Sequence, residues 1–276
     1  MHRARDIARG SGCDDLIAFA TSALRDATNS ADVLALVQRE TGVALEVLPG
    51  EDEARWTFFA VRRWCGWSAG RLLVLDIGGG SLELAIGRDE TPYVAASVPL
   101  GAGRLTREAF TADPPPRSEV TALAERVRAE LEPVAARLRE AGRPDRAVAT
   151  SKTFRTLARL TGAAPSGAGP RAPRRLTAQG LRQLSGFVTR MSGPDLAELD
   201  GVSPSRAHQL VAGTVVAQAA MDVLGVDELD ICPWALREGV ILRRFDMLDG
   251  TNGSDRSAHA PGDGLGPLTT HRARWT

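Results

Sequence analysis

Two carboxylates flank three consecutive glycines and a hydroxyl in the segment Asp76-Ile77-Gly78-Gly79-Gly80-Ser81-Leu82-Glu83. Glycines carry no Cβ, so such a turn lets backbone N–H groups close on an anion. An acid at its edge is a hard oxygen donor, suited to Mg²⁺. Asp76 is the natural metal ligand of the set. Gly78, Gly79, Gly80 and Ser81 form the phosphate cradle. Glu83 falls either in the cleft or on the solvent face of the outgoing strand, and periodicity leaves both open. Neither G-x-G-x-x-G nor G-K-[ST] is present, and the polar–apolar alternation from Ser81 to Gly87 predicts a strand after the glycines, not a helix. That excludes a dinucleotide fingerprint and a Walker loop.

Three further groups have phosphate chemistry in reach. Glu51-Asp52-Glu53 follows Pro49-Gly50 at a predicted helix start. Acids there complement the helix dipole, which is one reading. The other makes Glu53 a general base that takes a proton from an attacking water. Arg25 is either a phosphate-gripping guanidinium or a surface arginine paired with Asp26 or Asp32; spacing alone favours the surface pair. Ser151-Lys152-Thr153 closes a predicted strand and opens a helix. Asp249-Gly250-Thr251-Asn252-Gly253-Ser254 imitates a second phosphate turn, but no strand precedes it.

The elements that must position these groups follow from periodicity. Short strands are predicted at 16–20, 43–48, 94–98, 146–150 and 229–231, beside the hairpin around the glycines. Helices are predicted at the front (2–12), after Thr21-Ser22, at 31–40, from about Gly50 to Trp64, at 119–140 with a kink at Pro133, and at 154–160. Gly101 to Arg104 reads as a turn and 162–175 as a loop. Thr177 caps a helix to Met191, Ser203-Pro204 opens one to Leu224 closed by Gly225, and a last helix runs from Trp234 to about Met247. From Asp249 the composition predicts a disordered tail.

Bulk properties narrow the class. The 276 residues carry 34 basic and 34 acidic side chains, a formal net charge of zero, so no global field favours nucleic acid or membrane. Lys152 is the only lysine. Cys13, Cys65 and Cys232 are widely spaced and form neither a disulfide framework nor a metal cluster, which suits a cytoplasmic chain. The four histidines lack metal-ligand spacing, so zinc is not expected. No signal peptide or membrane-spanning run is expected.

Taken together, these motifs resemble the exopolyphosphatase / guanosine pentaphosphate phosphohydrolase (Ppx/GppA) family. The residues that carry the likeness are Ala20 to Asn29, Thr41-Gly42, Gly50 to Arg55, Asp76 to Leu84, Gly101 to Thr106 and Ala235 to Gly239, in colinear order. The resemblance implies an α/β, actin-like (ribonuclease H-like) fold of two lobes with the site in the cleft between them. Residues 1–60 would be the remnant of the first lobe, 61–248 the second lobe, and 249–276 the tail. It implies Mg²⁺-dependent removal of terminal phosphate from inorganic polyphosphate, or of the 5′-phosphate of guanosine pentaphosphate. Glu53 matches the water-activating carboxylate, Asp76 and Glu83 the acids near metal and water, Gly78 to Ser81 the phosphate loop, and Arg25 a phosphate-gripping arginine.

Two departures from the family pattern stand out. Ser151-Lys152-Thr153 stands where Ser-Gly-Thr is usual, so Lys152 either adds a phosphate contact or fills space the turn needs. The first lobe's opening strand and its Asp-x-Gly-Ser-Asn turn are not in the sequence, so that lobe is expected to be incomplete. A catalytically impaired polyphosphate- or nucleotide-binding chain is therefore the alternative to an active hydrolase. An actin-like kinase ranks last, because Ser151-Lys152-Thr153 is a poor adenosine turn. A homodimer is compatible with the family and leaves no trace in the sequence.

Overall fold

A computed structural model describes residues 1–13 and 16–252. Its centre is a six-stranded mixed sheet in the order β5-β4-β3-β6-β8-β7. The strands are β3 (Leu72–Ile77), β4 (Leu82–Gly87), β5 (Val94–Val98), β6 (Arg146–Thr150), β7 (Arg175–Thr177) and β8 (Glu228–Ile231). Ahead of them, β1 (Phe19–Ala20) and β2 (Glu46–Val47) form a small parallel pair. β3 pairs antiparallel with β4 and parallel with β6, and β6 pairs parallel with β8.

Helices α1 (His2–Gly10), α2 (Ser22–Arg25), α3 (Ser30–Thr41) and α4 (Gly50–Cys65) precede the large sheet. α5 (Ala102–Ala109) and α6 (Arg117–Glu140) follow β5, and α7 (Ser151–Leu160) follows β6. α8 (Ala178–Val188), α9 (Gly193–Ala197) and α10 (Leu210–Leu224) lie between β7 and β8, and α11 (Leu236–Asn252) comes last.

Both faces of the sheet are covered, which is why every residue of β3 except Asp76 is apolar. Leu73, Leu75 and Ile77 face one core with α6, α7 and α10. Leu72 and Val74 face the other, against Ala54, Phe58 and Val61 of α4. α10 is apolar nearly all round, as a helix wrapped by α5, α6 and α8 must be. α4 continues past position 60 and ends where buried Arg62 donates to the carbonyls of Gly66 (3.0 Å) and Gly70 (2.6 Å). A third cluster, Trp56, Phe59 and Val240 with Ile17 and Phe19 beside it, joins the front segment to α4 and α11.

Several boundaries differ from the sequence expectation. The strands predicted at 16–20 and 43–48 shrink to two residues each, Phe19–Ala20 and Glu46–Val47, which pair with one another. Gly101 to Arg104 is the start of α5, not a turn, since its N–H groups donate to the glycine loop. The loop at 162–175 ends in edge strand β7, and the helix capped by Thr177 stops at Val188. Ser192 and Asp195 then build a reciprocal capping box that starts α9 separately. Ser203-Pro204 opens a 3₁₀ turn over Pro204–Gln209, and the α-helix begins only at Leu210. α6 runs unbroken through Pro133. α11 extends to Asn252, so the first residues assigned to the tail are helical; 253–276 lie outside the described residues. Among the described residues no helix is long and apolar enough to cross a membrane.

Candidate active site

The register of the central hairpin decides where the acids point. Gly78 N–H donates to Ser81 O at 2.9 Å and closes the loop, so Asp76 stands directly opposite Glu83. Side chains opposite one another on paired strands share a face. Asp76 continues the Leu72–Val74 row and Glu83 continues the Ala85 row, both on the face that α4 covers. α4 presents Glu53 in its first turn. Three carboxylates from three elements therefore meet where β3 ends, and Glu53 and Glu83 are only 6% and 5% exposed. Glu83 belongs to the cleft.

Burial and mutual repulsion dominate their electrostatics. Loss of solvent and the charge of Glu83 push the Glu53 carboxyl up to about 7, against the opposing effect of Arg25. Asp76 is pushed up to about 7 as well, by burial and then by Glu83 and Glu53, with Arg155 and Arg206 pulling the other way. Burial raises Glu83 too, offset by hydroxyl donors from Ser81 and Ser97. Ser97 Oγ donates to Glu83 Oε1 at 2.9 Å. Ser97→Ala should leave that carboxylate short of a donor wherever Glu83 is ionised, costing about 1–2 kcal/mol. Protonated Glu83 needs that donor less, so thermal unfolding should show a smaller loss under acidic conditions.

Arg25 closes the front of the site. Its guanidinium pairs with Glu53, donates to Leu48 O at 2.9 Å and stands 3.5 Å from Asp26. Asp26 is also paired with Arg104. Asp32 is not among Arg25's partners. The predicted surface pair and the predicted cleft position thus occur together: Arg25 touches Asp26 and faces the carboxylates.

The glycine loop is held by its carbonyls. Ala102 N–H donates to Gly78 O (3.0 Å), Arg104 N–H to Gly79 O (2.8 Å) and Arg104 Nε to Gly80 O (3.0 Å). With these acceptors turned toward α5, a peptide's N–H side is left for a ligand. Close approach explains two glycines. A Cβ on Gly101 would overlap the Gly80 and Ser81 backbone, and one on Gly80 would stand 2.6 Å from Ser22 Oγ. A Cβ on Gly79 would meet nothing, so its side of the loop is open. Ser81 is buried, with its hydroxyl on Glu83, its carbonyl on Gly78 N–H and its backbone against Gly101, so it braces the loop.

The third turn, Ser151-Lys152-Thr153, divides its roles between structure and cleft. Ser151, at φ 93°, is the one described non-glycine residue in the left-handed region, a strained conformation typical of functional turns. Its Oγ accepts from Phe154 N–H (3.3 Å), and Thr153 Oγ1 donates to Ile77 O (3.1 Å). Lys152 is exposed and lies in ordinary helical backbone, so no glycine is needed there. Of the three residues, Lys152 alone offers an uncommitted polar head.

Sequence reasoning missed Ser97, Arg104, Arg155 and Arg206. Arg104 lay inside the Gly101–Thr106 motif, which was the available signal. Ser97, as the register partner of Glu83, needed the strand pairing. Among the described residues no three His, Cys, Asp or Glu side chains are arranged to hold a metal ion by themselves.

An α/β sheet ending in a glycine hairpin, with acids gathered at the strand ends, defines an actin-like protein built to handle phosphate. The chain belongs to the Ppx/GppA phosphatase family, whose model matches residues 1–248. It is 62% identical over 246 residues to Exopolyphosphatase 1 of Mycobacterium leprae, covering 89% of this chain and 73% of that protein. Exopolyphosphatase 1 of Mycobacterium tuberculosis is 63% identical over 246 residues, with 89% and 72% covered. Among solved structures, the Aquifex aeolicus member of the Ppx/GppA family superposes with a TM-score of 0.74 at 25% identity, covering 90% of this chain and 79% of that one.

Proposed function

We propose that this chain hydrolyses the terminal phosphoanhydride bond of inorganic polyphosphate, with guanosine pentaphosphate as a secondary substrate. The observation that supports it most is the convergence of Glu53, Asp76 and Glu83 beside a glycine loop that is open at Gly79. The relatives named exopolyphosphatase, at 62% and 63% identity, point to the polymer.

Glu53 is the general base. A carboxyl near 7 is a better proton acceptor than an ordinary glutamate and is still ionised in a useful fraction at neutral pH. It takes the proton of a water aimed at the terminal phosphorus. Arg25 fixes the orientation of Glu53 and adds positive charge beside the incoming phosphate. The glycine loop binds the phosphate oxygens through backbone N–H groups on its open Gly79 side, the Gly78 N–H being held by Ser81 O. The donor set suits Mg²⁺, because that ion commonly takes one or two carboxylates and completes its shell with water and substrate phosphate. Asp76, which has no ion pair among the described residues, and Glu83 would hold it. When bound, it neutralises charge on the transferring phosphoryl group.

Phosphate release from polyphosphate, measured with Mg²⁺ and with excess EDTA, tests this. Release in the presence of metal and its loss with chelator, restored by added Mg²⁺, is the expected pattern. No release under either condition would leave a binding protein; release that ignores EDTA would remove the metal from the account.

A further inference from the structure

Arg25, the guanidinium paired with Glu53, rides on α2, a helix of only four residues. Helices this short do not hold themselves in water. The strand before it, β1, pairs with β2 over two residues, and a two-stranded pair is marginal as well. The position of α2 must therefore come from tertiary contacts at its two ends. Its first residue, Ser22, is buried against Gly80 of the glycine loop. Asp26, which ends it, reaches Arg104 in the first turn of α5.

Asp26 serves two arginines at once. Its Oδ1 stands 3.5 Å from Arg25 Nε, and its Oδ2 pairs with Arg104 Nη2. Arg104 in turn holds the glycine loop, through Nε on Gly80 O (3.0 Å) and its backbone N–H on Gly79 O (2.8 Å). One carboxylate thus links the arginine beside Glu53 to the arginine that orients the loop. Arg25, Asp26 and Ser81 also share the wall of a hollow of about 290 Å³, so both parts of the phosphate grip front one space. By charge alone Asp26 is misplaced there, since an acid among these cations weakens their pull on a polyanion. Its value lies in where it puts them.

We infer that Asp26 and Arg104 are positioning residues, whose ion pair docks α2 on the glycine loop and sets the span between Arg25 and the open Gly79 side, so that both grip one terminal phosphate. This rests on the proposed function and deepens it. The geometry asked of the pair is strict, because a misplaced gripping group costs far more than the bond that held it.

The test uses the full chain with Mg²⁺ and measures equilibrium binding of tripolyphosphate and phosphate release from it. Asp26→Asn separates positioning from charge, because the two predict opposite signs. Positioning predicts that binding and kcat/KM each fall about tenfold, although the site has lost a negative charge. Arg104→Gln should lose as much, and the double variant should be no worse than Arg104→Gln alone, since both changes cut one link. Asp26→Glu, which keeps the carboxylate, should recover part of the loss. Glu108 stands 3.6 Å from the same Arg104 and pairs with Arg126 of α6. Glu108→Gln removes an equal charge without cutting the link to Arg25, and should behave as wild type. Unchanged or tighter binding by Asp26→Asn would overturn the inference, as would additive losses in the double variant. Losses that vanish when the assay is cooled well below each variant's Tm would make the pair purely structural and overturn it too. Should these variants weaken tripolyphosphate binding while the wild type releases no phosphate, the hydrolase reading would fail and the positioning pair would stand.

Discussion

Glu53→Gln is expected to lower kcat for phosphate release by about three orders of magnitude, within the ~10²–10⁴ that general-base catalysis contributes. The same change should make the protein more stable at neutral pH and above. The sign follows from linkage. Glu53 ionises near 7 when folded and at the ordinary 4.5 when unfolded and open to water, so between these values the folded chain binds more protons than the unfolded one. Stability therefore falls as pH rises through this window, and the penalty is complete above it. Glutamine removes the penalty, a gain of ~2 kcal/mol after allowing for Arg25 and the neighbouring acids. Thermal unfolding should then show a Tm higher by several degrees above pH ~7, at about 2–4 °C per kcal/mol. Below the window the two proteins should converge. Lost activity with gained stability separates a base held at a cost from a carboxylate that merely complements the α4 dipole. In the latter case the variant would be active and slightly less stable.

Gly101→Ala should have the largest structural effect. Its Cβ would overlap the backbone of Gly80 and Ser81, and backbone cannot swing aside as a flexible side chain can. Overpacking of this kind costs ~1–3 kcal/mol or more. Here it also pushes the glycine loop off the Ala102 and Arg104 donors that orient it. Both Tm and kcat should fall sharply. Gly79→Ala is the matched comparison, since its methyl meets no protein atom within 4 Å. That variant should keep wild-type stability and lose activity, because the methyl occupies the side of the loop left for phosphate. Circular dichroism melts beside phosphate-release assays distinguish the two.

Much of this site could be read from residue order, and the limits have physical causes. Strand, glycine loop, strand was legible because a buried apolar run and an alternating one bracket three glycines. The position of Glu83 was open only while the loop length was unknown. Four residues from Gly78 to Ser81 set Asp76 against Glu83, and one residue more or fewer would have turned Glu83 away. α4 was predicted as a helix, yet its docking over the Asp76 face rests on Ala54, Phe58 and Val61 meeting Leu72 and Val74, contacts between residues far apart in sequence. Arg25 could not be resolved for the same reason: its partner Glu53 is 28 positions away, whereas Asp26 is adjacent. The start of α5 looked like a turn because Gly101 and Gly103 are poor helix formers. Tertiary bonds to the glycine loop outweigh that propensity. The Asp26–Arg104 pair joins α2 to α5 across 78 positions, so no linear motif could announce it.

The pH dependence of kcat/KM for polyphosphate, compared between wild type and Glu53→Gln, tests the central claim most directly. Wild-type kcat/KM should rise with pH, reach half its plateau near 7 where Glu53 loses its proton, and level off above that. The variant should show a low residual rate without that rise. Superimposable profiles, at any absolute rate, would show that Glu53 is not the base and that another group activates the water.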